Sequence, residues 1–117
     1  MMHLKALRLT IMKKQLYRLV RTVREKYHCA DVPFIAGDFC NEWKSKNMET
    51  CVPIVNKIRE VFSNDKYGFV ETSDLLSNNQ KLGNGDDIHF CRESLYVLGR
   101  RYFQEYCKVL GICKKDI

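Results

Sequence analysis

Two short apolar runs, Val32 to Ala36 (VPFIA) and Tyr67 to Glu71 (YGFVE), lie on either side of a stretch with helical periodicity. That succession restricts the fold more than any other feature. The first run is opened by Pro33 and closed by Gly37, and its length suits a buried strand of a parallel sheet. Between the runs, Val55, Ile58, Val61 and Phe62 form a helical stripe over Thr50 to Phe62, with Thr50 as cap, Pro53 in the first turn, and Asn64 and Asp65 as the stop. Two strands joined by a helix of about a dozen residues lie parallel and adjacent, because the right-handed crossover is strongly preferred. A lone pair of parallel strands buries little, so the pattern predicts part of a larger α/β fold.

Helices are expected on both flanks. Leu9, Met12, Leu16, Leu19, Val20, Val23 and Tyr27 share one stripe, with Lys14, Arg18 and Arg21 on the far side. At the other end Leu95, Leu98, Tyr102, Phe103, Tyr106, Val109 and Leu110 recur with helical spacing and stop at Gly111. Gly99 within that helix costs about 1 kcal/mol relative to Ala, which predicts close packing of another backbone there. The segments Asp38 to Asn47 and Ser77 to Asp87 read as loops, the latter from its Asn, Gly and Asp content. The expected order is α-β-α-β-α.

With 117 residues and a net charge of +6, the chain is one domain's worth at most. Residues 1 to 26 carry eight basic side chains against Glu25 alone, while the remaining residues carry 12 basic and 13 acidic ones. All the excess charge therefore sits on the first helix. Such a helix can meet nucleic acid or an acidic partner, or simply present a solvated face; the solvated face is the preferred reading, and nucleic acid is not expected as a partner. No apolar run is long enough to span a membrane, and Lys5, Arg8 and Lys13 interrupt the opening residues, so no secretory signal is legible. The expectation is a soluble, unprocessed, cytoplasmic chain. Its six cysteines then read as free thiols, and none pairs at the short spacing of a structural zinc site.

In an open parallel sheet, ligands sit beyond the carboxyl ends of the strands. The loop after the second strand ends in Asp86-Asp87-Ile88-His89-Phe90, directly before the last helix. An Asp three residues ahead of a His on a tight turn can return its carboxylate to imidazole Nδ1. That contact fixes the tautomer, leaves Nε2 free as a general base, and stabilises the imidazolium once the base has taken a proton. Asp86 and His89 are the candidate catalytic residues.

From about residue 17 to 110 the chain resembles the C-terminal part of SGNH (GDSL-like) hydrolases, in the carbohydrate esterase branch of sialate O-acetylesterases and acetylxylan esterases. The resemblance rests on Tyr17 and Leu19 to Arg24, on Val32-Pro33-Phe34-Ile35-Ala36-Gly37, on Val55-Asn56 and on Val70-Glu71-Thr72. It ends with Asp86 to Phe90 followed by Leu98-Gly99-Arg100-Arg101-Tyr102. It implies a flavodoxin-like three-layer α/β/α fold, here incomplete, in which Asp86 supports His89 and His89 activates a serine against an acetylated carbohydrate. Cys91 departs from the family's better helix caps.

The family's serine block, of the Gly-Gln-Ser-Asn kind, and its further oxyanion-hole blocks do not occur here. The serines are Ser45, Ser63, Ser73, Ser77 and Ser94, and none has that context; Ser77-Asn78-Asn79 follows the wrong strand. A base without a nucleophile or oxyanion donors lacks the largest contributions to acyl transfer, so the chain alone is expected to be inactive or nearly so. No cofactor is expected, and no metal, since Asp86, Asp87 and His89 lie on one loop without a distant ligand. Gly83-Asn84-Gly85 reads as a turn because the spacing and lysine of a phosphate loop are absent. Phe39, Trp43 and Tyr67 could make an aromatic platform for a sugar or anchor a loop. A bare edge on the first strand predicts association with a missing N-terminal half or with itself. The alternative to the esterase reading is a non-enzymatic interaction module acting through the basic helix.

Overall fold

A computed structural model describes residues 2–61 and 66–112. The first helix, α1 (Met2–Lys26), leads into strand β1 (Phe34–Gly37), then a short α2 (Asn41–Lys46) and α3 (Met48–Val61). Strand β2 (Tyr67–Val70), a short α4 (Asn78–Leu82) and α5 (Arg92–Leu110) follow. The strands pair in parallel, with Phe34 opposite Tyr67 and Gly37 opposite Val70. The protein is thus mixed α/β around a two-stranded parallel sheet.

Side-chain alternation sorts the helices into layers. Tyr67 and Phe69 face α1 and α3: the Tyr67 ring meets Tyr17 edge-on at 5.9 Å, and the Arg59 guanidinium lies 4.8 Å from the Phe69 ring. Gly37 and Gly68 face the opposite way, toward α5. A Cβ at Gly37 would overlap the Tyr102 hydroxyl, and one at Gly68 would come within 2.7 Å of Glu105 Cγ. The strand glycines therefore let α5 lie close on the sheet. Gly99 does not serve that purpose, since a Cβ there would meet nothing within 4 Å.

The boundaries differ from expectation for local reasons. Val32 stays outside β1 because its amide closes a turn on the Cys29 carbonyl, and Gly37 is drawn into the ladder. Thr50 is not a cap: α3 begins at Met48, and the amides of Thr50 and Cys51 both bond the Asn47 carbonyl. Pro53 then falls beyond the first turn, and the Glu49 carbonyl it leaves without an amide belongs to an exposed residue, where water can serve. Phe62, Asn64, Asp65 and Cys113 lie outside the described residues.

The apolar stripes are only partly buried. Val20 is wholly buried and anchors α1, but Leu19, Val23 and Tyr27 are exposed. On α5, Tyr102 and Val109 pack inward while Leu95, Phe103, Tyr106 and Leu110 stay on the surface. No helix among the described residues is long and apolar enough to cross a membrane. Cys29, Cys40, Cys51, Cys91 and Cys107 are free thiols.

Candidate active site

Both segments expected as loops contain a turn or more of helix. In the second, Ser77 caps α4 with a reciprocal box: its Oγ accepts from the Gln80 amide, and Gln80 Oε1 accepts from the Ser77 amide, each at 2.9 Å. Gly83 ends α4 in the left-handed region at φ 66°, a conformation that favours glycine. The two ends of the excursion are stitched together: the Asn78 amide donates to the His89 carbonyl and the Cys91 amide to the Leu76 carbonyl, each at 2.9 Å. Inside, Asn79 donates its amide N–H to the Asp86 carbonyl at 2.8 Å and accepts from the Gly85 amide through Oδ1 at 2.8 Å.

This knot is fixed to the carboxyl end of β1. Thr72 Oγ1 donates to the Phe39 carbonyl at 2.6 Å. Glu42 on α2 accepts from Ser77 Oγ at 2.7 Å and from Asn79 Nδ2 at 3.1 Å. Lys46 Nζ lies 2.9 Å from Asp87 Oδ2. The base of α2 is held in turn by Asp38, whose buried carboxylate accepts from the Phe39 amide and from Lys44, both at 2.7 Å. Arg59 reaches the same carboxylate at 3.4 Å while forming a two-pronged pair with Glu71. Without an apolar period in NEWKSK, nothing in the sequence singled out Glu42, Lys44 or Asp38.

At the end of the knot His89 Nδ1 lies 3.1 and 3.2 Å from the two oxygens of Asp86. The same carboxylate accepts from the His89 amide at 3.2 Å and from Asn78 Nδ2 at 3.0 Å. The Asn78 side-chain amide, with the donors of His89 adding to it, holds the Asp86 carboxyl below the usual carboxylate range against a partial loss of solvent. An ionised Asp86 accepts from Nδ1–H, which leaves the Nε2 lone pair on a side chain that is 76% exposed. In that tautomer His89 can act as a base whose orientation Asp86 sets, on a ring that is largely exposed.

The serines do not complete it. Ser77 is wholly buried, with its Oγ engaged by Gln80 and Glu42. Ser94 Oγ accepts from the Leu76 amide, and Ser45 Oγ bonds the Glu42 carbonyl. Among the described residues, no serine hydroxyl bonds His89. Cys40, close enough to feel the Asp86 charge, is buried, and that burial pushes its thiol pKa up, the opposite of an activated nucleophile.

The proposed aromatic platform is split. Phe39 and Trp43 are 5.4 Å apart at the carboxyl end of the sheet, whereas Tyr67 is at the amino end with Tyr17. Tyr17, Tyr67, Arg21 and Arg24 line a cleft of about 530 Å³ at that end, remote from His89. Among the described residues, no three His, Cys, Asp or Glu side chains converge as a metal site. No family model, no curated protein and no solved structure matches the chain.

Proposed function

We propose that the chain carries the acid–base half of a serine ester hydrolase site, as the C-terminal part of a carbohydrate O-acetylesterase of the SGNH kind with an incomplete flavodoxin-like three-layer fold. The observation that carries this reading is the Asp86 carboxylate on His89 Nδ1, with the ring exposed at the carboxyl end of parallel strands. In the complete site, His89 Nε2 takes the serine proton as Oγ bonds the acetyl carbon, and Asp86 balances the imidazolium. The proton then passes to the sugar oxygen as its bond to the acetyl carbon breaks, and water repeats the cycle to free acetate. The serine and the oxyanion donors come from polypeptide outside this chain. The donors that hold Asp86 beside His89, Asn78 Nδ2 and the His89 amide, lie in the same loop of this chain.

The test combines the protein with a separately produced serine-bearing N-terminal portion of an SGNH acetylesterase and follows acetate release from an aryl acetate. Release should require both pieces and fall at least about 100-fold with His89→Ala. Release that His89→Ala leaves unchanged overturns the assignment.

A second reading rests on a different observation. The exposed Arg8, Lys14, Arg18 and Arg21 of α1 form no ion pair among the described residues, whereas Lys13 is paired with Glu60 at 2.6 Å. A cationic face without internal partners suits a polyanion, and its binding would weaken steeply as salt rises. Failure to retain nucleic acid at low salt removes this reading and leaves the first intact.

A further inference from the structure

The two outer edges of the sheet are finished differently. On β2 the outward amide of Phe69 donates to Glu105 Oε1 at 3.4 Å, and Arg101 donates to the Glu71 carbonyl at 3.0 Å. Charged side chains of α5 thus close that edge, one of the ways proteins keep an edge from recruiting another strand.

On β1 the inward amides are those of Phe34, Ala36 and Asp38, the first and last bonded to the Lys66 and Val70 carbonyls. Alternation turns Ile35 and Gly37 outward. Beyond them, Pro33 has no amide hydrogen and the Phe39 amide is taken by Asp38 Oδ1. Among the described residues nothing accepts from Ile35 or Gly37. The open edge is therefore confined to two residues centred on Ala36.

The flanks of α5 follow the same division. Arg101, Gln104 and Lys108 line the cleft beside the closed edge. Around the helix toward β1 lie Leu95, Phe103, Tyr106 and Leu110, with 52, 50, 39 and 39% of their surfaces exposed, and Gly99 leaves a hollow among them.

We propose that this face pairs with a second copy of the chain about a two-fold axis through Ala36. Antiparallel β1 edges then exchange four hydrogen bonds, Ile35 with Gly37 of the second copy and Gly37 with Ile35 of the second copy. The α5 stripes meet on one side of the resulting four-stranded sheet, where the hollow at Gly99 receives an aromatic ring. The exposed stripe offers on the order of 400 Å² of apolar surface per copy, and with the joined edge the pair buries on the order of 1,000 Å², the size of a weak, exchanging interface. An extended backbone matches the spacing of the Ile35 and Gly37 groups, and a second copy brings such an edge together with a matching apolar stripe. A serine-bearing partner of the ester hydrolase reading would take the same β1 edge in place of the second copy, and a chain that stays monomeric leaves the Asp86–His89 pair untouched.

Sedimentation of the full chain over a concentration series tests it. Monomer–dimer exchange should appear at micromolar concentration, and Phe103→Glu with Tyr106→Glu should raise the Kd by at least 30-fold. Gln104→Glu, on the opposite flank, should leave it unchanged. Amide exchange of the unaltered protein gives a second readout that does not depend on a variant folding: protection at Ile35 and Gly37 should rise with concentration. A monomer at every concentration, or a dimer whose formation leaves those two amides unprotected, overturns the proposal.

Discussion

The helix α1 and the excursion from Thr72 to Cys91 are of similar length and are held in opposite ways. α1 is 25 residues of regular hydrogen bonding, attached to the rest through the buried Val20, the Lys13–Glu60 pair and Arg24, which donates to the Val32 and Lys66 carbonyls. The excursion has one short helix, yet Ser77, Asn78, Asn79, Asn84 and Asp86 each bond a neighbour in it through their side chains. Regular secondary structure is therefore not what places His89. Short polar side chains that bond backbone groups in tight turns do so, because they satisfy amides that no ladder or helix would reach.

The largest effect that sharpens this contrast is expected from Asn79→Ala. It removes the acceptor of the Gly85 amide and a donor to Glu42 together, and should cost about 2–3 kcal/mol in denaturant unfolding while raising amide exchange through residues 83–89. A loss confined to a few tenths would mean that the knot is held by backbone bonds alone. Ser77→Ala should cost about 1–2 kcal/mol, since it strips the cap from α4 and leaves Glu42 one donor short.

Acid should weaken the excursion through two of its carboxylates. Asp74, gripped by Arg101 through two hydrogen bonds, is pulled down to about 2, chiefly by that donation, and Asp86 is lowered by Asn78 and His89. A folded pKa below the unfolded one contributes stability above the ordinary carboxylate range that is lost as pH falls through the folded value. Thermal unfolding should therefore weaken between about pH 4 and pH 2, and Asp74→Asn should flatten that slope. A slope that the substitution leaves unchanged would assign acid sensitivity to other carboxylates. The smallest effect is expected from Lys13→Ala, which removes an exposed pair and should leave Tm unchanged.

What the sequence disclosed, and what it hid, follows the same physics. Both strands could be read as apolar runs between breakers, and Asp86 with His89 could be read because their contact spans three residues of one turn. The order α-β-α-β-α missed α2 and α4 because NEWKSK and NNQKL carry no buried stripe. The Ser77-x-x-Gln80 cap was present in the sequence, but the surrounding Asn and Gly residues outweighed it. Periodicity on α5 could not tell Tyr102 from Phe103, since apolar residues cover both the inward face and the β1 flank. A glycine inside a helix is conspicuous and points to Gly99 as the place of close approach, whereas Gly37 and Gly68 on the strands make the room.

Asp86 sets the tautomer of His89, and nitrogen-15 shifts of the neutral imidazole in the folded protein test this most directly. The Nδ1–H form should predominate in the unaltered chain and give way to Nε2–H in Asp86→Ala. Predominance of Nε2–H in both proteins would contradict the claim.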